Sequence, residues 1–154
     1  METGRAEKQV MKHSEKAVAL FESGFNCSQA VLMAFAGESG MDSAKAAKLA
    51  SGFGGGMGRM AHTCGAVTGA YLVIGLKHGA TDANDKVAKE NTYRLVREFA
   101  ARFQALHPSD ACRDLLGCDI STMAGLEEAK DKGLFGSVCP RLVREAAEIL
   151  EDMT

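Results

Sequence analysis

Cys64-Gly65-Ala66-Val67-Thr68-Gly69-Ala70-Tyr71-Leu72-Val73-Ile74-Gly75-Leu76 decides how this 154-residue chain reads. From Ala66 to Leu76 it forms the longest apolar run, too short to span a bilayer. It therefore reads as a helix buried in a protein core. Thr63 is suited to cap its start, which would make Cys64 the first helical residue, and Gly75 and Gly79 stand near its end. Gly65 and Gly69 lie one helical turn apart. Each costs roughly 1 kcal/mol of helix propensity relative to alanine, so their presence points to another backbone, or a bound cofactor, coming close there.

The rest of the chain carries the same signal. No period-2 alternation is sustained, and alanine, leucine, methionine, lysine and glutamate dominate between glycine breaks, which predicts an all-α fold. A first amphipathic helix is expected from Ala6 to Phe21, with Gly24 as its stop. A second opens at the Asn26 cap, with Cys27 in its first turn, and a short third begins at Asp42 or Ser43 and runs through Leu49. Gly52-Phe53-Gly54-Gly55-Gly56-Met57-Gly58 then forms a glycine-rich loop. Beyond the apolar helix, a long helix is expected from about Asp82 to Leu106, ended by Pro108. A short one follows, capped from Ser109 and closed at Gly117, then another near Met123–Lys132. The last has Cys139 at its cap and Pro140 at its first position. The expectation is a single-domain bundle of about six to seven helices over residues 1–154, with no linker or internal repeat.

Eighteen Lys and Arg against twenty Asp and Glu leave a formal net charge of −2. There is no global basic field for nucleic acid or an anionic membrane, so neither partner is expected. The segment Met1–Met11 lacks an apolar signal region, which points to the cytoplasm. The glycine-rich loop follows a helix rather than a strand and lacks the P-loop lysine, arguing against a nucleotide site. No C-x-x-C occurs, so no local zinc knuckle or thioredoxin-type pair is signalled.

What remains is five cysteines, Cys27, Cys64, Cys112, Cys118 and Cys139. Four of them fall at expected helix starts, where the backbone N–H groups and helix dipole favour a thiolate. Cys118 sits at a helix exit. In a reducing compartment an odd set of this kind suits thiolate chemistry or metal ligation better than a structural disulfide framework. His62 is close enough in sequence to Cys64 to serve as a ligand or proton acceptor, although an isolated loop histidine is usually solvated.

In order along the chain come Asn26-Cys27-Ser28-Gln29-Ala30, Gly56-Met57-Gly58, Cys64-Gly65-Ala66-Val67-Thr68-Gly69, Cys112-Arg113-Asp114-Leu115-Leu116-Gly117 and Cys139-Pro140. With this set the chain resembles the C_GCAxxG_C_C family of redox-active proteins over roughly residues 14–150. The family name is written Gly-Cys-Ala where this chain reads Cys-Gly-Ala. The resemblance implies that Cys27, Cys64, Cys112 and Cys139 are the family cysteines and that Cys118 is outside the pattern. A similar cysteine set occurs in the iron–sulfur portion of split-Soret cytochromes. Two mechanisms follow for an oxidoreductase or electron carrier acting with a redox partner. In one, Cys64 attacks a disulfide and Cys27 resolves it, with Cys112 and Cys139 as a second pair or relay. In the other, the same four thiolates hold a [2Fe–2S] or [4Fe–4S] cluster, or zinc. Gly65 and Gly69 would lie against such a cofactor. The non-redox alternative is an α-helical interaction module that forms a homodimer through the long helix.

Overall fold

The computed structural model describes residues 11–153, and among these it is all-α. The segments are α1 (His13–Glu22), α2 (Cys27–Ala36), α3 (Ser43–Ala50), α4 (Gly54–Met57), α5 (Gly65–His78), α6 (Lys86–Leu106), α7 (Cys112–Leu116), α8 (Met123–Asp131), α9 (Leu134–Ser137) and α10 (Cys139–Met153). There are more segments than the expected six or seven, because the four-residue α4 and α9 form at glycine-containing turns. No helix among the described residues is long and apolar enough to cross a membrane.

The bundle is organised around α2. Ser28 and every residue from Ala30 to Ala36 are buried, so this helix has no solvated face of its own over that stretch. A helix apolar all round must be enclosed by others, and α1, α3, α5 and α10 enclose it. Each offers a stripe: Ala17 and Val18 from α1, Ala46 and Ala50 from α3, Val67, Ala70 and Ile74 from α5, and Val143, Ala147 and Leu150 from α10. Leu95, Phe99 and Phe103, four residues apart on α6, cover the far side. A second, smaller core holds Ala61, Cys112, Leu116, Cys118, Ile120, Ala129 and Cys139.

The paired glycines of the apolar helix do different work. A β-carbon on Gly69 would stand 2.8 Å from the Ser28 carbonyl oxygen and 3.1 Å from the Ser28 Cα, so the absence of a side chain is what lets α5 rest on the backbone of α2. Gly75 meets nothing within 4 Å.

Several boundaries differ from the sequence expectation. Ala6 to Val10 lie outside the described residues, and α1 begins at His13. Cys64 is itself the cap of α5, because Thr63 is drawn into a β-bridge with Ala111. The long helix starts at Lys86: Asp85 caps it by accepting the Ala88 N–H, while Asp82 accepts the N–H of Asn84 in the preceding turn. Ser109 organises the turn before α7, its hydroxyl accepting from the Ala111 N–H and donating to Asp114, while Ala111 holds the cap position. Cys139 is the first residue of α10 and Pro140 the second.

These two glycines provide a test of the packing. Gly69→Ala is expected to cost about 1–3 kcal/mol in urea unfolding, as overpacking against unyielding backbone does. Gly75→Ala should instead raise stability by about 0.5–1 kcal/mol by removing backbone entropy from the unfolded chain.

Candidate functional site

Cys27, Cys64, Cys112 and Cys139 all line one cavity of about 570 Å³ at the seam between the two cores. They are more than 100 residues apart at the extremes, so it is the packing of four helix starts that assembles them. Cys27 is placed by a reciprocal cap: Asn26 Oδ1 accepts the Gln29 N–H and Gln29 Oε1 accepts the Asn26 N–H, each at 2.9 Å. The same two side chains reach outward, Asn26 Nδ2 donating to the Ser51 carbonyl and Gln29 Nε2 to the Ala47 carbonyl. The start of α2 is thereby tied to α3 and the turn that follows it.

Cys64 and Cys112 are held by one small piece of extended chain. The Cys64 N–H donates to the Asp110 carbonyl at 2.7 Å, the Cys112 N–H donates to the His62 carbonyl, and Thr63 and Ala111 form the antiparallel bridge between them. Arg113 reinforces the clamp by donating to the carbonyls of Ala61 and Met60. Cys139 enters from the start of α10.

The glycine-rich stretch forms another wall. Gly55, Gly56, Met57, Gly58 and Arg59 have φ of 66, 71, 66, 61 and 61°, five consecutive left-handed residues, and Ala61 is left-handed as well at 59°. An L-residue costs roughly 1–2 kcal/mol in that conformation, so Met57, Arg59 and Ala61 must be held there. The N–H groups of Gly58, Arg59, Ala61 and His62 donate back to the carbonyls of Gly52, Gly54, Gly55 and Gly56. A β-carbon on Gly56 would stand 2.6 Å from the His62 nitrogen. The consequence is a cavity wall of bare backbone at Gly54, Gly55, Gly56 and Gly58.

The four thiols are not equivalent. The Cys27 S–H donates to the Cys139 sulfur, which lowers the pKa of Cys139 below the ordinary thiol value and raises that of Cys27 well above it, with burial adding to the rise at Cys27. Burial pushes Cys64 up to about 12. It pushes Cys112 up to about 11, against a smaller pull downward from Arg113. Cys139 is thus the most acidic thiol of the set, with Cys27 beside it as the hydrogen-bond donor.

Gly65 lines the cavity; Gly69 does not, being spent on the contact with α2. Cys118 lies outside, its S–H donating to Glu128, which raises it, while Lys132 Nζ holds Glu128 at 2.9 Å. His62 is exposed and absent from the lining. Sequence reading did not single out Arg59 and Lys130, the charged side chains of the lining, or Phe21 and Phe135, which supply apolar wall. Asn26 was read as a cap, and Gln29 could have been found with it, since N-x-x-Q before an apolar run is the pattern of a reciprocal cap.

Among the described residues no three His, Cys, Asp or Glu side chains gather closely enough to hold a metal ion, so a tetrahedral zinc site is not assembled. An iron–sulfur cluster asks for something else. It is held by four thiolates shared among its irons, and four thiols around one cavity, with no carboxylate in the lining, are that donor set.

The order of acidity can be read directly. With pH-dependent alkylation mapped by mass spectrometry, Cys139 should label first of the four cavity thiols, with a midpoint below the ordinary thiol value of 9.0, and Cys27 and Cys64 only at much higher pH. Cys27→Ala should move the Cys139 midpoint upward. The raised groups also set the alkaline limit of the fold. The folded chain keeps the Cys64 proton up to about 12, whereas the unfolded chain releases it near 9.0. That contribution to stability is fully present below pH 9 and is lost as pH rises from about 9 to 12.

Neither a curated protein nor a solved structure matches this chain. A family model does match, over residues 25–153, a span that contains all four cavity cysteines. A β-carbon at position 65 would stand 3.1 Å from the Cys27 Cβ, so Gly65 leaves room for the Cys27 side chain. The span of that match, with the four cysteines it brings to one cavity, makes the chain a member of the family described as "Putative redox-active protein (C_GCAxxG_C_C)".

Proposed function

We propose that the cavity is a two-electron thiol redox centre in which Cys139 attacks and Cys27 resolves. The observation that carries this reading is the pairing of Cys27 and Cys139 in one cavity wall, where the interaction between the two thiols lowers Cys139 and raises Cys27. The Cys139 thiolate attacks one sulfur of a disulfide, forming a mixed disulfide and expelling the other half as a thiolate. That leaving thiolate takes up the Cys27 proton, and the Cys27 sulfur then attacks the Cys139 sulfur. The second half is expelled and takes a proton from solvent. The disulfide has gained two electrons and two protons, and the protein holds a Cys27–Cys139 disulfide, which a dithiol reductant reopens by the reverse exchange. Attack by Cys139 rather than Cys64 follows from the thiolate requirement, since a thiol titrating at about 12 is almost wholly protonated at neutral pH.

A second reading rests on a separate observation, the presence of four thiols rather than two around the same cavity. Cys27, Cys64, Cys112 and Cys139 would hold an iron–sulfur cluster, which would supply one-electron transfer. Arg59 and Lys130 would offset its negative charge.

Trapping separates the two. In the thiol reading, Cys27→Ser treated with a small disulfide stops at a mixed disulfide on Cys139, Cys139→Ser forms none, and Cys64→Ser and Cys112→Ser still cycle. Protein purified without oxygen should then be colourless and free of iron. Visible absorption together with stoichiometric iron and sulfide, lost on replacing any of the four cysteines, would overturn the thiol reading in favour of the cluster.

A further inference from the structure

The cavity's lining carries information about what reaches the thiols. Its charged side chains are Arg59 and Lys130, both cationic and both exposed, and no carboxylate lines it. With exposed Ser51 and Gly58 they mark the mouth. This is a local departure from the rest of the molecule, whose formal net charge is −2. Neither cation is neutralised by an ion pair among the described residues. Of the carboxylates near Lys130 in sequence, Asp119 accepts from the N–H and hydroxyl of Ser121 and Glu128 is held by Lys132, while Glu127 and Asp131 are exposed and do not line the cavity.

Below the mouth the wall is apolar, with Phe21 and Phe135 among its side chains. The thiols themselves are recessed: Cys139 is 7% exposed and Cys64 4%. A protein disulfide would have to carry its own sulfurs down to them, whereas a cavity of about 570 Å³ has the size of small-molecule sites.

We propose that the electron acceptor is a small-molecule disulfide with a negative charge on an apolar body, and that Arg59 and Lys130 select it. This rests on the thiol function above and names its substrate class. The anionic group stays at the mouth between the two cations, the apolar body lies against the aromatic wall, and the disulfide reaches Cys139. The covalent steps and their electron balance are those already given: the acceptor gains two electrons and two protons as Cys27 and Cys139 become a disulfide. Arg59 and Lys130 act as specificity residues and take no part in bond making.

Three disulfide probes of different charge test it: dithiobis(nitrobenzoate), a dianion; dithiodipyridine, neutral; and cystamine, a dication. Rates with the reduced protein are measured in a Cys118→Ser background, so that only cavity thiols respond, and are divided by the rates of the same probes with N-acetylcysteine amide to remove intrinsic reactivity. The expected order is dianion, then neutral, then dication. In Arg59→Gln/Lys130→Gln the dianion should slow by about tenfold or more at low ionic strength, the neutral probe should be little changed, and the dication should gain. The preference of the unsubstituted mouth should also shrink as salt is raised, since exposed charges are screened. Equal normalised rates for the three probes, or a preference indifferent to both salt and the double substitution, would overturn charge selection while leaving the thiol function standing. Failure of all three probes to oxidise Cys27 and Cys139 would remove the thiol function and this proposal with it.

Discussion

The contact between Gly69 and the Ser28 backbone is the constraint on which the rest of the site depends. Helix axes normally stay 8–10 Å apart because side chains stand between them, and removing the β-carbon at Gly69 lets α5 rest on main chain. That approach sets the start of α5 beside the start of α2, and so brings Cys64 and Cys27 to the same wall. The cap built by Asn26 and Gln29 then extends this arrangement to α3 and the glycine-rich turn. A loosened α2–α5 contact would move two thiols and the turn together.

Against this stabilising contact stands a strained one. Met57, Arg59 and Ala61 in left-handed backbone represent about 3–6 kcal/mol at roughly 1–2 kcal/mol each, a large share of the net stability of a typical domain. Strain of this kind persists where the surroundings over-determine it, and such places are concentrated at functional sites. Here it has an identifiable consequence. The left-handed run turns three glycines, Gly55, Gly56 and Gly58, into wall and leaves the Arg59 side chain at the mouth. The cavity thus owes its room to bare backbone and its charge to one of the strained residues.

Much of the architecture was legible beforehand because it is local. Periodicity and glycine breaks identified an all-α chain, Asn26 was recognised as a cap and the next was narrowed to Asp42 or Ser43, because a short polar side chain before an apolar run has few other uses there. Where reading the sequence went astray, a distant partner intervened in one case: Thr63 lost its cap role to the bridge with Ala111, nearly fifty residues away. The start of α6 moved from Asp82 for a local reason, the Asp82 carboxylate accepting the Asn84 N–H in the preceding turn. Gly65 and Gly69 were read as a pair serving one purpose, yet one faces the cavity and the other a neighbouring helix. Nothing in periodicity separates two small residues on one helix.

The same division runs through the chemistry. By itself the sequence determined that four cysteines begin helices and that Cys118 does not, because helix starts are written in caps, glycines and prolines within a few residues of each thiol. Only the tertiary structure decided that these four share a cavity, that Cys27 and Cys139 act on each other's acidity, and that burial raises Cys64. A thiol's acidity is set by what surrounds its sulfur in space, and those neighbours come from segments that the chain brings together only when it packs.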